Sequence, residues 1–293
     1  MRIDWQDYHE LKILRNRLEK YEPLEYIGCG GCSKVFKIND RSRGRICALK
    51  VLDLQKLEQC VTETGIEMKI RFIKEAGAYR KCSHPNIVSI YDVGGDDTCP
   101  YIIMEFIDGK CLDKLISEKI TLELTEILEI SASILQALQY MHFIGLIHRD
   151  LKPANIMIEE DSSRIVLIDF GIIKDFNSSG LTITDSYMGS PYYSSPEQWK
   201  DSKRVDYRTD IYAFGVILYK MVTGQVPFNG SRFEVMDQHL KEPVPHVKFL
   251  NPQAPPGIQE IIEKAMAKKA DKRYREPGEL LTALKKIAQG ANG

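Results

Sequence analysis

No charge of one sign prevails in this chain: 40 Lys and Arg face 41 Asp and Glu over 293 residues, a formal net charge of −1. That balance lacks the basic footprint of a nucleic-acid binder, and no nucleic-acid partner is expected. Long apolar runs are missing too. The longest, "IYAFGVILY", falls well short of the roughly 20 residues that cross a bilayer. The opening "MRIDWQDYHE" has no hydrophobic signal region. A cytoplasmic protein without a membrane segment is therefore expected. Cysteine is confined to seven positions from Cys29 to Cys111, an odd number, and no second C-x-x-C completes the zinc site that Cys29 and Cys32 could begin. The cysteines read as reduced, small and mostly buried. Internal repeats and low-complexity segments are absent.

What is present is a core. Hydrophobic residues make up 43% and charged residues 28%, which excludes global disorder, and the length suits one catalytic unit with two lobes. Asp4 to Lys20 carries Trp5, Tyr8, Leu11, Leu14 and Leu18 at helical spacing. This predicts a helical extension over residues 1–20, packed on the adjoining lobe or docking a partner, with Pro23 ending the pattern. From Leu24 to Lys50, alternating apolar residues around "NDRSRGR" read as strands joined by hairpins. "TETGIEMKIRFIKEAGAYRKC" is helix-like, "HPNIV" breaks it, and strands follow at "VSIYDV" and "YIIMEFI".

The composition then turns helical. "TLELTEILEISASILQALQYMH" aligns Ile127, Ile130, Ile134, Leu138 and Met141 on one face. "DIYAFGVILYKMVTG" is apolar nearly all round, as a central buried helix is, and a Pro-rich connection leads to two last helices around "KADKRYREP".

The chemistry begins at "YIGCGGCSKVF". Gly28 and Gly30, between two strands, let backbone N–H groups approach phosphate oxygens without an intervening Cβ. On the next strand "CALK" ends in Lys50, a cation suited to α- and β-phosphates. On the following helix Glu75 can hold it extended, with Glu67 as the rival partner. "HRDLKPANIM" supplies Asp150 to accept a hydroxyl proton, Lys152 to neutralise a transferring phosphoryl group and Asn155 to offer an amide oxygen to a divalent ion. Fourteen residues after Asn155 (169 − 155), "IDFG" brings the carboxylate of Asp169, a hard oxygen ligand for Mg²⁺. This set serves in-line phosphoryl transfer, where positioning and charge neutralisation supply most of the rate.

At this spacing the chain resembles the eukaryotic-type (Hanks-type) protein serine/threonine kinases, closest in flavour to bacterial members. The resemblance runs from about Tyr21 to Ala288. It implies an α+β, bilobal fold: a small antiparallel β-rich N-lobe with one regulatory helix, about residues 21–106, and a larger mostly α-helical C-lobe, about 107–288. ATP and Mg²⁺ are the implied cofactors and proteins the implied substrates. Gly28 and Gly30 match the first two loop glycines, while Ser33 stands in place of the third. Lys50 and Glu75 match the strand lysine and its helix partner, Asp150 the catalytic base, and Asn155 and Asp169 the metal ligands. Glu105 and Ile107 would offer backbone hydrogen bonds to adenine, Met104 would act as gatekeeper, and Ile27, Val35 and Ala48 would sandwich the ring. Cys111 lies near the usual polar ribose contact.

The family likeness also implies serine/threonine specificity, from Lys152 and from Ser190 in "MGSPYYSSPE". It makes Glu197 the partner of Arg273 and Asp210 the brace of the catalytic loop. Arg149, before Asp150, commonly pairs with a phosphate on the activation segment. "LTITDSYMGS" is similar to the T-x-T pattern of bacterial receptor-type kinases, so Thr182 and Thr184 are the expected autophosphorylation sites. The resemblance also allows a homodimer through the small lobe or through the N-terminal helix.

Overall fold

The computed structural model describes residues 3–4, 6–16, 18–30, 33–52, 72–74, 76–95, 99–169, 191–200 and 205–291. The chain divides into two compact units, one built from Met1–Ser83 and Val88–Ile107, the other from His84–Ile87, Asp108–Ser178 and Gly189–Gly293.

The first unit is a five-stranded antiparallel sheet of β1 (Tyr21–Gly30), β2 (Ser33–Asp40), β3 (Arg45–Leu52), β4 (Ile90–Gly94) and β5 (Tyr101–Glu105), in the order β1-β2-β3-β5-β4. Alternation along the strands gives the sheet two faces. Phe36 and Ile38 of β2, Cys47, Leu49 and Val51 of β3 and Tyr101 and Ile103 of β5 share one of them. They form one cluster with Leu11, Leu14, Leu18 and Tyr21, all at most 2% exposed except Tyr101. The leucines of the N-terminal segment therefore pack against one face of the sheet.

The helix predicted there is shorter than its hydrophobic spacing suggests: α1 spans only His9–Leu14. Before it, Asp4 and Asp7 divert the backbone, the Asp4 amide donating to Asp7 Oδ2 at 2.6 Å, a local bond that competes with helix. After it, the Leu18 amide still reaches the Leu14 carbonyl at 2.9 Å, but the Tyr21 amide closes on Leu18 at 2.8 Å and the chain enters β1. Pro23 does not end a helix; it lies inside β1, which as an edge strand tolerates the missing donor. The cysteine expectation also needs amending. Cys47 and Cys99 are buried and Cys82 and Cys111 half-buried, but Cys29 is exposed.

The second unit carries a small antiparallel sheet, β6 (Gly109–Cys111), β7 (Ile156–Glu159) and β8 (Ile165–Leu167), with helices α2 (Leu112–Lys119), α3 (Leu124–Phe143), α4 (Pro196–Lys200), α5 (Arg208–Thr223), α6 (Arg232–Lys241), α7 (Ile258–Ala265) and α8 (Pro277–Ala291). A capping box between Glu123 and Glu126 starts α3, and Ile127, Ile130, Ile134, Leu138 and Met141 are buried along it. Nearly every residue of α5 is buried. The helix stops at Gly224, whose φ of +79° sets the left-handed cap; a Cβ there would lie 2.4 Å from the Ile120 carbonyl oxygen. No helix among the described residues is long and apolar enough to cross a membrane.

Candidate active site

The sequence-predicted residues divide between the two units. In the first, register pairs Val35 with Lys50 and Ala48 with Met104. Strand alternation therefore aligns Val35, Ala48, Lys50 and Met104 on the face opposite the leucine-covered one. Ala48 and Lys50 are 6% and 9% exposed. Gly28 faces Val35 across the hairpin, and a Cβ built on Gly28 would meet no atom within 4 Å. Packing within the protein thus gives no reason for glycine at that position. Ile27 lies at the irregularity between Tyr26 and Gly28 and is half exposed. Ser33 pairs with Gly30 and is buried. The Glu105 amide already donates to the Ser89 carbonyl at 2.9 Å, so any adenine contact from Glu105 falls to its carbonyl. Ile107 is buried. Glu75 and its rival Glu67 lie outside the described residues, as do Thr182, Thr184 and Ser190.

In the second unit, three residues of one short loop meet around a carboxylate. Lys152 Nζ lies 2.9 Å from Asp150 Oδ2. Asn155, 5% exposed, donates from Nδ2 to the Asp150 carbonyl at 2.9 Å, to Asp150 Oδ2 at 3.2 Å and to the Asp169 carbonyl at 3.4 Å. With Nδ2 so committed, Oδ1 is the amide's acceptor for anything else. The β7–β8 hairpin brings Asp169 alongside: Ile156 pairs with Leu167, and the Ile168 amide donates to the Asn155 carbonyl at 3.0 Å.

The loop backbone is held under strain. Arg149 has φ +62°, a left-handed value that a non-glycine residue adopts only when its surroundings impose it. Here they do. Asp210, 1% exposed in the first turn of α5, accepts the His148 amide on Oδ2 and the Arg149 amide on Oδ1, each at 2.9 Å. The His142 ring nitrogen Nε2 lies 2.8 Å from Asp210 Oδ2. Burial by itself would raise the Asp210 pKa. The His142 hydrogen bond, the nearby His148 and its amide outweigh that and hold the carboxyl below its ordinary value. On the other side, Gln198 Nε2 donates to the Arg149 carbonyl at 2.9 Å.

Beneath this loop, Arg273 is clamped. Its guanidinium donates to Glu197 Oε1 at 2.6 Å and Oε2 at 2.8 Å, and to the carbonyls of Arg208 and Ala267. It also stacks over the Tyr212 ring at 4.8 Å, and the Tyr212 hydroxyl lies 2.8 Å from His239 Nδ1. The loop that presents Asp150 is thus held by Asp210 on one side and Gln198 on the other, and Arg273 ties Glu197 to the start of α5.

Residues 21–282 match the family described as protein kinase domain. The chain belongs to that family. Its relatives include a probable serine/threonine-protein kinase of Clostridium perfringens, 40% identical over 96% of this chain and 40% of the relative. The serine/threonine-protein kinase PrkC of Bacillus subtilis is 36% identical over 87% of this chain and 38% of its own length. The chain thus spans about two fifths of the curated relatives it matches. The crystal structure of the Mycobacterium tuberculosis PknI kinase domain superposes with a TM-score of 0.73 at 25% identity, covering 92% of this chain and 96% of that one. The α+β fold, an antiparallel sheet lobe and a helical lobe, is that of a protein kinase domain.

Two residues of this kinase domain escaped the sequence reading. Gln198 follows Glu197 directly in "SSPEQ", a position that hinted at a structural role, and holds a carbonyl 49 positions away. His142 lies in the last turn of α3, and no local pattern links it to Asp210, 68 positions on.

The buried His239 gives a pH signature. Burial, then the nearby Lys268 charge, push its pKa from 6.5 down to about 4, against the opposing Tyr192 backbone. Between those values the unfolded chain binds a proton that the folded one refuses, so stability falls as pH drops from 6.5 towards 4 and is unaffected by this group above. Urea unfolding across pH 4–7 is expected to show His239→Gln losing less stability on acidification than the wild type. Parallel profiles would remove His239 as the cause.

Proposed function

We propose that this kinase domain is an active serine/threonine protein kinase, transferring the γ-phosphoryl group of ATP to Ser or Thr hydroxyls of protein substrates. The observation that carries the reading is the Asp150 constellation: a carboxylate flanked by a lysine at 2.9 Å and by a buried asparagine, on a backbone fixed by Asp210. In this reading Asp150 accepts the proton of the incoming hydroxyl, and Lys152 neutralises charge on the group in flight. The Gly28 backbone, with open space where a side chain would stand, approaches the phosphates, and Lys50 pairs with the α- and β-oxygens. Val35, Ala48, Ile27 and Met104 bound the adenine, with backbone contacts from Glu105 and Ile107.

A divalent ion, generally Mg²⁺ in this family, suits the oxygens at hand. Asn155 Oδ1 and the Asp169 carboxylate would hold it, and bound there it would offset phosphate charge. Lys152 and Ser190 support an alcohol of serine or threonine as acceptor, as do the relatives' names. Ser33 in place of a third glycine leaves Lys50, Asp150 and Asp169 untouched, so altered nucleotide affinity follows rather than lost turnover.

Asp150→Asn is expected to lower peptide phosphorylation by roughly 100- to 10,000-fold, as loss of a general base does, while nucleotide affinity stays within a fewfold. Near-wild-type turnover would overturn the assignment. Regulation belongs to the same reading: Thr182 and Thr184 become phosphorylated when the protein is incubated with ATP and Mg²⁺, and Arg149 would pair with one such phosphate. Phosphopeptide mapping decides it; an active enzyme with both threonines unmodified would rule the pair out.

A further inference from the structure

The hairpin carrying Gly28 and Gly30 lies at one edge of the sheet. Its outer strand, β1, is one of the two edge strands and is paired on one side only. Its register slips twice, between Pro23 and Glu25 and between Tyr26 and Gly28. An edge hairpin ending in glycines samples many conformations unless something outside the ladder fixes it.

In this chain something does. Tyr8, the residue that caps α1, stacks on Tyr26 with centroids 5.2 Å apart and meets Phe36 edge-on at 5.0 Å. Tyr26 and Phe36 are themselves direct partners across β1 and β2, 5.5 Å apart. The three rings thus straddle both strands two residues before Gly28. Two residues beyond Tyr8, Glu10 takes the Lys34 ammonium on Oε1 at 2.5 Å. Lys34 sits opposite Cys29, between the two loop glycines.

The ion pair is a committed one. Glu10 is 8% exposed, and its second oxygen, Oε2, has no hydrogen-bond partner among the described residues. Among the described residues, Lys34 is the cation paired with that carboxylate. Leu11 and Leu14 on the same helix are fully buried on the sheet, so the grip is anchored from behind. All of these contacts lie on the face opposite Val35, Ala48 and Lys50.

We propose that the N-terminal segment is a brace that positions the phosphate-binding hairpin, with Glu10–Lys34 and the Tyr8–Tyr26–Phe36 ring cluster as its two grips. The proposal rests on the reading of Gly28 and Lys50 as a nucleotide site. The brace touches no reacting atom. It raises the fraction of molecules whose loop is already in the binding geometry, and apparent affinity scales with that fraction. Tyr8, Glu10 and Lys34 are positioning residues, and their loss weakens nucleotide binding while leaving the bound complex to react normally.

The test compares wild type with Glu10→Gln, Lys34→Met, Tyr8→Ala and the charge swap Glu10→Lys/Lys34→Glu. KM for ATP and kcat on a peptide are measured with affinity for a fluorescent ADP, each protein being checked for a cooperative thermal transition. Each single variant is expected to raise KM and weaken ADP binding about tenfold, the effect of losing one charged hydrogen bond or ring contact. The value of kcat stays within about twofold, and the swap recovers most of the affinity. A merely structural role would lower the melting temperature without splitting KM from kcat and without rescue. Folded variants with wild-type KM, or a swap no better than the singles, would overturn the brace while leaving the nucleotide reading intact. Wild-type protein that binds no ADP would overturn that reading, and the brace with it.

Discussion

One buried carboxylate sets the geometry on which the catalytic half of this domain depends. Asp210 is taken almost wholly out of water, a placement that is expensive unless every oxygen is satisfied. It is satisfied by two consecutive backbone amides and a histidine ring. Charge-assisted bonds of this kind are worth roughly 1.5–3 kcal/mol each. Together they exceed the roughly 1–3 kcal/mol that the left-handed Arg149 backbone requires. The strain is thus sustained by α5, whose buried position makes its first turn a fixed point and whose N-terminal dipole favours the negative charge. Gln198 fixes the other side of the same residue. Asp150, next in the chain, has little freedom left.

The sheet of the first unit solves a different problem. A single antiparallel layer has two faces, and one of them can stay open to solvent while the other packs on a core. One carries Val35, Ala48, Lys50 and Met104; the other is sealed by Leu11, Leu14 and Leu18. The N-terminal residues are therefore core-forming, though the family match begins only at residue 21. Residues that cover one face can bias what happens on the other, because the strands between them are shared.

Much of this was legible from the sequence, for a physical reason. Strand alternation and the 3.6-residue period are local, so β1 to β5, α3 and α5 could be read directly. Asp150, Lys152 and Asn155 fall in one short loop, where spacing along the chain nearly dictates proximity in space. The N-terminal helix was overread because Tyr8, Leu11, Leu14 and Leu18 keep their spacing through one short helix followed by a turn, and periodicity does not register the break at Asp4 and Asp7. Pro23 is a breaker by sequence but sits inside β1, because an edge strand accepts what a central one rejects. Exposed Cys29 follows from its place near the tip of an edge hairpin. Gln198 had only its place beside Glu197 as a local signal and His142 had none, since their bonds reach across 49 and 68 residues and exist only after packing.

Amide hydrogen exchange at His148 and Arg149, in the wild type and in Asp210→Asn, tests the central claim most directly. With the carboxylate present, both amides should be protected nearly as well as the core of α5. With asparagine, at least one amide faces a donor, and protection there should drop by about 10- to 100-fold, the equivalent of one lost charged hydrogen bond, while α3 and α5 retain theirs. Equal protection of both amides in the two proteins would contradict the claim that Asp210 holds the loop.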